Sequence, residues 1–219
     1  MPLSKLNDHQ LKAATCGFGN NLVIASAGTG KTSTIVGRIA HLLSNSIKPE
    51  SILLLTFTNK AANEMIHRVA TYFNKEIASQ IMSGTFHSVS YKLLKNLGIN
   101  VVLKQPSELK TLFKSLYEKR IFMNRSQTPP FDGGFLYELF SLYLNSNNGE
   151  SFQDWIITKN SDHEIYSHIY EDVANEYTIL KKQFNYVSFD DLLVNMLEAL
   201  QSNKVYFSEI LVDEYQDTN

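Results

Sequence analysis

The sequence predicts an α/β fold in which a parallel sheet flanked by helices is interrupted by a mostly helical insertion. Short apolar runs, each followed by a loop and then by helical spacing, recur through the first hundred residues. From about residue 106 to residue 183 the spacing stays helical and no strand–glycine–helix unit occurs. Residues 209–213 (EILVD) then return to the strand pattern. We therefore assign residues 1–104 and 184–219 to the α/β domain and residues 105–183 to the insertion.

The predicted strands and helices of the α/β domain alternate along the chain. Strands are predicted from apolar, often β-branched runs, and helices from apolar residues three and four positions apart. The predicted strands are residues 21–25 (NLVIA), 52–56 (ILLLT), 81–85 and 209–213. The predicted helices are residues 31–43, 59–72 and 88–97. This repeated order favours a parallel sheet with right-handed crossovers.

Length, charge and cysteine content narrow the class of protein. A chain of 219 residues with a hydrophobic fraction of 43% can bury a real core, which argues against disorder. The formal net charge of -2 means that any nucleic-acid contact must be a local groove. Cys16 is the only cysteine, which excludes a disulfide framework and a cysteine-rich metal site. No signal-peptide layout or membrane-length apolar run occurs, so we expect a soluble cytoplasmic protein.

A phosphate-binding loop is predicted where the first strand meets the first helix, in the segment ASAGTGKT (residues 25–32). The residues expected to surround the phosphates are Ala27, Gly28, Thr29, Gly30, Lys31, Thr32 and Ser33. The two glycines let the backbone curl so that N–H groups converge on one anion, and the helix adds its positive end. We expect Lys31 to reach the β- and γ-phosphates of ATP and the Thr32 hydroxyl to hold Mg²⁺. Ala25 replaces the first glycine of the full motif, but the core Gly-x-Gly-Lys-Thr is intact.

An acidic motif follows the last predicted strand, where residues 210–212 lead into DEYQDTN. A carboxylate at the C-terminal end of a parallel strand lies beside the phosphate loop of an open α/β sheet. We expect Asp213 to hold Mg²⁺ through water and Glu214 to orient or deprotonate the attacking water. Apolar residues followed by Asp-Glu are common in proteins. Only the pairing with the phosphate loop and the extension to DEYQDTN make the motif specific.

Together these motifs resemble the superfamily 1 DNA helicases of the UvrD, Rep and PcrA type. The resemblance spans residues 6–219, with the insertion matching only in size and helical character. Further matching segments are Leu6-Asn7 with Gln10, residues 56–65 (TFTNKAANEM), residues 84–88 (GTFHS) and residues 189–193 (FDDLL). The resemblance implies a RecA-like P-loop NTPase fold, ATP and Mg²⁺ as cofactors, and Lys31, Glu214 and Gln216 as catalytic residues.

The resemblance also assigns a role to the short glutamine motif. Gln10 is expected to recognise adenine, because its amide can bond the N6 and N7 edge of the base in both directions. Ser33, just after the phosphate loop, stands where relatives often carry a longer side chain that helps with the nucleotide.

Single-stranded DNA is expected at the ends of two strands and near residue 189. The expected contacts are Thr56, Phe57, Thr58, Asn59, Thr85, His87 and Phe189. Hydroxyls, amides and a histidine N–H can hold a phosphate backbone without reading sequence, and phenylalanines can stack on bases. Core packing is the alternative for Phe57 and Phe189, and a purely structural role is the alternative for His87. Asp190 and Asp191 are more simply explained as acids at a helix N-terminus.

The insertion carries an uneven charge. Basic residues outnumber acidic ones in residues 104–125, and acidic residues dominate residues 132–176. The bases are Lys104, Lys110, Lys114, Lys119, Arg120 and Arg125. Two interpretations stay open, solvated helical faces or a basic strip beside the DNA track, over which the family's insertion lies.

The leading hypothesis is an ATP-dependent DNA helicase or translocase of replication or repair, associated with the nucleoid. By resemblance it moves 3′-to-5′ on single-stranded DNA and at single-strand/double-strand junctions, together with a second RecA-like domain. We expect the chain alone to bind ATP–Mg²⁺ weakly and to hydrolyse almost none. The alternatives are the helicase subunit of an AddA/RecB-type helicase–nuclease and a truncated ATP- or DNA-binding module without catalysis. A small-molecule kinase is also open, but it leaves residues 56–65 unexplained.

Overall fold

Helices and strands alternate through the first part of the computed structural model, which describes residues 2–123, 131–146, 149–202 and 205–218. This part contains α1 (Asp8–Ala14), α2 (Lys31–Ser44), β1 (Ile52–Leu55), α3 (Asn59–Tyr72), α4 (Lys75–Gln80), β2 (Met82–Gly84) and α5 (Phe86–Asn96). The chain continues with β3 (Val102–Leu103), α6 (Pro106–Met123), α7 (Gly133–Ser146), α8 (Phe152–Lys159), α9 (Ser167–Gln183), β4 (Tyr186–Val187), α10 (Phe189–Gln201) and β5 (Glu209–Val212).

These elements divide into two compact units. The first, called here the sheet unit, comprises residues 1–99 and 192–219. The second, called here the helical unit, comprises residues 100–191 and includes the short parallel pair of β3 and β4. The predicted insertion, residues 105–183, falls inside the helical unit, and a further segment on each side belongs to the same unit.

The main sheet has the strand order β2-β1-β5, and both pairings are parallel. The expected α/β class with a parallel sheet is therefore confirmed. Leu55, at the end of the central strand, lies opposite Gly84 on one side and Val212 on the other. The carboxyl ends of all three strands consequently reach the same edge of the sheet, from which the following loops emerge.

Residues 21–25 do not form the predicted strand. They have no regular structure, and Leu22, Val23 and Ile24 are 73%, 53% and 88% exposed. Strand propensity alone does not make a strand, because the N–H and C=O groups must pair with a neighbour. Among the described strands, none pairs with this segment, and β5 is an edge of the three-stranded sheet. The prediction for residues 21–25 is wrong, although the loop and helix predicted after them are present.

The core of the sheet unit lies between the sheet and its helices. Ile39 of α2 and Met65 of α3 pack with Ile52 and Leu54 of β1, and all four are almost fully buried. The apolar spacing of α2 and α3 puts one stripe of each helix against the sheet. Burial of each such side chain contributes about 1.5–3 kcal/mol, which fixes α2 and β1 relative to each other.

The core of the helical unit is mainly aromatic. Phe113 of α6 stacks on Phe140 of α7 at 5.4 Å between centroids and meets the edge of Tyr177 of α9 at 5.3 Å. Trp155, the only tryptophan of the chain, is 6% exposed in the same cluster. Aromatic contacts of this kind add about 0.5–1.5 kcal/mol each beyond the area buried.

The basic residues of the helical unit mostly face acidic partners. The ion pairs among the described residues are Lys104–Glu108, Lys110–Glu138, Lys114–Glu118, Arg120–Asp172 and Lys181–Asp191. Such pairing supports solvated helical faces over a free basic strip. Each paired basic side chain is largely neutralised by its acidic partner, so little positive charge remains to attract DNA. Arg125 lies outside the described residues.

In the described part of the chain, no helix has the length and apolar character needed to cross a membrane.

Candidate nucleotide and DNA site

The phosphate loop is an irregular turn that leads directly into α2. Gly28 and Gly30 have φ of 77° and 86°, a region that favours glycine over residues with a Cβ. The Thr29 hydroxyl donates to the Ser26 carbonyl at 2.6 Å, which closes the turn. The first intrahelical bond joins Thr34 N to the Gly30 carbonyl at 3.0 Å.

The start of α2 is suited to an anion. Gly30 is its N-cap, and no side chain caps the helix within the described residues. In α3 and α5, by contrast, Thr58 and Thr85 accept a hydrogen bond from the first turn. The first-turn N–H groups of α2 therefore lack the usual side-chain acceptor, and the positive helix end adds to their attraction for phosphate.

Gln10 contacts the phosphate loop. Its Nε2 donates to the Thr29 carbonyl at 2.8 Å, and its Oε1 accepts from Asn7 N at 3.0 Å. Asn7 Oδ1 in turn accepts from Gln10 N, which completes a capping box at the start of α1. A Cβ on Gly30 would lie 2.6 Å from Gln10 Nε2 and would displace this amide from the loop, while the φ of 86° by itself favours glycine. One amide hydrogen of Gln10 remains for the expected adenine contact.

Lys31, at the first position of α2, meets the acidic motif that follows β5. Its Nζ lies 2.8 Å from Glu214 Oε1, and both side chains are 33% exposed. Gln216 Nε2 donates to the other carboxylate oxygen of Glu214. The structure thus brings the three predicted catalytic residues together, with Glu214 between the other two.

The electrostatics of this cluster follow from its contacts. The hydrogen bond to Glu214 raises the pKa of Lys31. Hydrogen bonds from Lys31 and then from Gln216 lower the pKa of Glu214, which keeps its carboxylate ionised. Burial, and next the charge of Glu214, raises the pKa of Asp213. A cation placed beside Asp213 would counter both of these effects.

Glu214 adopts an unusual backbone conformation. Its φ of 52° and ψ of 48° lie in the left-handed region, which costs a residue with a Cβ about 1–2 kcal/mol. Asp213 N donates to the Leu55 carbonyl at 2.9 Å, so the strand pairing continues up to the turn. The turn follows directly and directs the Glu214 side chain to Lys31.

The loop after β1 offers an exposed aromatic ring. Phe57 is 68% exposed, which excludes the alternative of a core residue. Thr56 is buried at 1% exposure, and its hydroxyl donates to the Thr58 carbonyl at 2.7 Å. The Thr56 hydroxyl is therefore engaged in a hydrogen bond within the loop. The side chains of Phe57, Thr58 and Asn59 face solvent. The direct DNA contact predicted for Thr56 does not fit this placement, because its only hydroxyl is buried and engaged.

Asn59 joins the two strand-end loops. Its Oδ1 accepts from Ser88 Oγ at 3.0 Å and lies 3.4 Å from Thr85 N. Thr85 and Ser88 also form a capping box at the start of α5. A Cβ on Gly84, whose φ is 153°, would lie 2.3 Å from Ser88 Oγ. The two segments expected to contact DNA are therefore one hydrogen-bonded assembly.

The remaining predicted residues lie on helix starts. His87 is half-buried in the first turn of α5, in the sheet unit, and Ser33 is exposed in the first turn of α2. Phe189 is half-buried as the first residue of α10 and belongs to the helical unit. Asp191 forms a capping box with Ser188, which agrees with the simpler interpretation of this acid.

Two structural roles were absent from the sequence predictions. Arg38 of α2 is 8% exposed and bonds the carbonyls of Ala14 and Cys16 and the carboxylate of Glu209. Ser88 connects to Asn59, 29 positions earlier in the chain. The Thr-x-x-Ser spacing of residues 85–88 indicates a helix cap, but no local pattern indicates the long-range contacts.

Comparisons with known proteins agree with this geometry. The family model described as the UvrD/REP helicase N-terminal domain matches residues 6–219. DNA helicase II of Haemophilus influenzae is 33% identical over 239 residues, covering 99% of this chain and 31% of the relative. DNA helicase II of Escherichia coli is 32% identical, with the same 99% and 31% coverage.

A third relative has a similar identity and a similar coverage. ATP-dependent DNA helicase Rep of Buchnera aphidicola is 31% identical, covering 98% of this chain and 34% of the relative. The chain thus spans about a third of the length of the relatives it matches. The phosphate loop, the acidic turn after β5 and the match over almost the whole chain lead to one conclusion: the chain belongs to the UvrD/REP helicase N-terminal domain family.

Proposed function

We propose that this chain is the nucleotide-binding part of an ATP-dependent DNA helicase that moves along single-stranded DNA. One observation carries the proposal. The Lys31–Glu214 pair lies at the end of β5, and the exposed Phe57 lies at the end of the neighbouring β1. A nucleotide bound at Lys31 and a base stacked on Phe57 would therefore lie at one edge of one sheet.

ATP binding would exchange partners around Lys31. The γ-phosphate is a stronger attraction for the lysine than the single carboxylate of Glu214, and the open N–H groups of α2 add further donors. Lys31 would then leave Glu214 for the phosphates. Glu214, ionised and freed from the lysine, would be able to orient or deprotonate the attacking water.

The donors near the loop fit Mg²⁺. Thr32 and Asp213 offer a hydroxyl and a carboxylate oxygen, and this ion is usually held by one or two protein oxygens together with phosphates and water. Bound there, Mg²⁺ would neutralise charge on the β- and γ-phosphates. Thr32 and Asp213 are the residues of this chain that would hold it. Gln10 would support the loop through Thr29 and use its remaining amide hydrogen for adenine.

The backbone of the sheet offers a route from ATP to DNA. The N–H of Asp213 donates to the carbonyl of Leu55. The next residue after Leu55 is Thr56, and its N–H donates to the carbonyl of Gly84. These hydrogen bonds would therefore transmit a shift of the acidic turn to the loop that carries Phe57 and to the start of α5. Thr58, Asn59, Thr85 and His87 would bind phosphates beside the base stacked on Phe57. Three further features of the proposal are inferred from the family resemblance alone. They are the 3′-to-5′ polarity, a second RecA-like domain, and repair or replication partners.

The nucleotide part can be tested by filter binding of labelled ATP with Mg²⁺ to the whole chain. We expect Lys31→Ala to lose most of the binding, because it removes the charge at the start of α2. Lys48→Ala, an exposed lysine of the same unit, should bind like the parent chain. Equal affinity of Lys31→Ala and the parent chain would show that the nucleotide site lies elsewhere.

The DNA part can be tested by anisotropy of labelled oligo-dT. Loss of one stacked base costs about 1–3 kcal/mol, so Phe57→Ala should weaken binding by about 5-fold to 150-fold. Phe18→Ala removes another exposed phenylalanine of the sheet unit, 82% exposed, and should have little effect. The assignment of Phe57 fails if both variants bind with the affinity of the parent chain.

A further inference from the structure

A stacked pair of aromatic side chains lies outside the site described above, in the helical unit. The ring centroids of Phe184 and Tyr186 are 5.5 Å apart with an interplanar angle of 27°. Phe184 is 50% exposed, so part of the stack is open to solvent. These two residues are called here the aromatic pair.

The backbone holds the aromatic pair in place. Phe184 caps α9 with its N–H bonded to the Leu180 carbonyl at 3.0 Å, and Tyr186 begins β4. Asn185, between them, has φ of 53°, and its carbonyl accepts a hydrogen bond from Val102 N at 2.8 Å. The stack is thus fixed by a helix end and by strand pairing, and little conformational entropy remains to be lost on binding.

Tyr186 lies beside a lysine–glutamate ion pair and a groove. Lys104 Nζ lies 4.8 Å from the Tyr186 centroid and 2.9 Å from Glu108 Oε1. A groove of about 440 Å³ runs beside this ring, lined by Ser107, Thr111 and Leu112 together with Lys104 and Glu108. Lys182, in the last turn of α9, is exposed next to Phe184 in the sequence. Since Lys104 is partly neutralised by Glu108, attraction to phosphate is modest and the aromatic face is the dominant feature.

We propose that the aromatic pair is a second site for single-stranded DNA, where a base stacks on the open part of Phe184. The inference rests on the proposed function, since it adds a contact to the same ligand. Stacking accepts any base, because every base has a π face. Duplex DNA fits poorly, because its bases are already stacked and paired. Lys182 would meet a neighbouring phosphate, and Tyr186 with Lys104 would support the stacked ring from within the unit.

The test uses the whole chain and a labelled oligo-dT, with binding followed by anisotropy. Phe184→Ala should weaken binding by at least about fivefold, the lower limit for loss of one stacked base. Phe184→Trp should retain the affinity, because it keeps an aromatic face. Ile179→Ala is the matched control, an exposed aliphatic residue of the same helix at 64% exposure, and should change nothing.

A second measurement locates the contact. Photo-cross-linking with an oligonucleotide carrying 5-iododeoxyuridine, followed by mass spectrometry, should give an adduct within residues 184–186. Absence of that adduct, or unchanged affinity of Phe184→Ala, overturns the inference. Equal loss of affinity for blunt duplex DNA overturns it as well, because a stacked base is then not the ligand.

The result for Phe57→Ala separates this inference from the proposed function. If Phe57→Ala weakens binding and Phe184→Ala does not, the second site fails and the proposed function stands. If only Phe184→Ala weakens binding, the second site stands and the assignment of Phe57 fails. If the parent chain binds no single-stranded DNA, both fail.

Discussion

Glu214 lies between the two other predicted catalytic residues, Lys31 and Gln216. One carboxylate oxygen pairs with Lys31, the other accepts from Gln216, and the backbone is held in the left-handed region. Strained backbone of this kind persists when its surroundings hold it, and it is often found at functional sites. The contact also occupies the lysine that is proposed to bind the phosphates of ATP. Lys31 and Glu214 thus balance each other's charge.

Replacing Glu214 with Gln should separate binding from hydrolysis. The amide cannot form the ion pair, so Lys31 is more available to phosphate, while the general base is lost. We expect Glu214→Gln to bind ATP at least as tightly as the parent chain in filter binding. Joined to the proposed second RecA-like domain, the variant should show DNA-stimulated ATP hydrolysis that is lower by about a hundredfold or more, within the range for a general base. Weaker ATP binding by this variant would contradict the partner exchange proposed for Lys31.

Asn59 is the second residue whose role depends on its contacts. Its Oδ1 bonds Ser88 and lies within reach of Thr85 N, so the side chain holds the second loop against the first. Asn59→Ala should loosen this assembly and weaken oligo-dT binding by a few-fold, since one neutral hydrogen bond contributes about 1 kcal/mol. Asn63→Ala, an exposed asparagine on the same helix, provides the control. A larger effect from Asn63 than from Asn59 would rule out this role.

Among the secondary-structure elements of the sheet unit, α2 connects the phosphate loop, the core, α1 and β5. Its first turn carries the proposed phosphate site, and further along the helix its buried face joins the core through Val36 and Ile39. Arg38 extends from the same helix to the end of α1 and to Glu209 at the start of β5. The nucleotide loop and the strand leading to the acidic turn are thus connected to one helix.

Removing the Arg38 charge should destabilise the sheet unit. The side chains of Arg38 and Glu209 are only 10% and 12% exposed, so Arg38→Met leaves a carboxylate buried without its partner. Loss of one partner of such a pair costs about 3–5 kcal/mol of the free energy of unfolding. Chemical denaturation followed by circular dichroism measures this change. Glu64→Gln in the exposed Arg68–Glu64 pair should change the stability little.

At the scale of the whole molecule, each unit has its own core of a different kind. Aliphatic residues between helices and strands stabilise the sheet unit, whereas stacked rings stabilise the helical unit. The single Trp155 lies in the aromatic core, so its fluorescence reports unfolding of the helical unit. Circular dichroism includes both units, and the two signals distinguish their transitions.

The helical unit should lose stability in mild acid through His163. This ring is 4% exposed and stacks on Phe131 at 4.3 Å, and its Nδ1 has no hydrogen-bond partner among the described residues. Burial lowers its pKa below the ordinary 6.5, against a smaller opposing effect of Asp162. The unfolded chain therefore binds more protons between the lowered pKa and 6.5. The stability is fully present above that range and decreases as the pH falls through it.

Trp155 fluorescence during urea unfolding at several pH values measures this effect. His163→Phe, which keeps an aromatic ring beside Phe131, should reduce the slope of stability against pH below 6.5. His168→Gln, an exposed histidine of the same unit, should leave the slope unchanged. An identical slope for His163→Phe and the parent chain would exclude His163 as the cause.

The class of fold and most of its elements could be predicted from the amino-acid sequence. Helix α3 has the predicted bounds, α2 differs from them by one residue, and the glycine loop precedes α2 as expected. These features are local, since they depend on apolar spacing, glycine conformations and helix caps. The pairing of Lys31 with Glu214 was also foreseeable, because a phosphate loop and an acid at a strand end lie together in parallel sheets.

Features that depend on neighbours distant in sequence became apparent only in the folded chain. Residues 21–25 have the composition of a strand but no strand beside them to accept their backbone hydrogen bonds. Thr56 and Phe57 are adjacent in the motif, yet one is buried and the other exposed. Arg38 pairs with Glu209 across 171 positions. Hydrogen bonding and burial across the fold set these outcomes, and no local pattern encodes them.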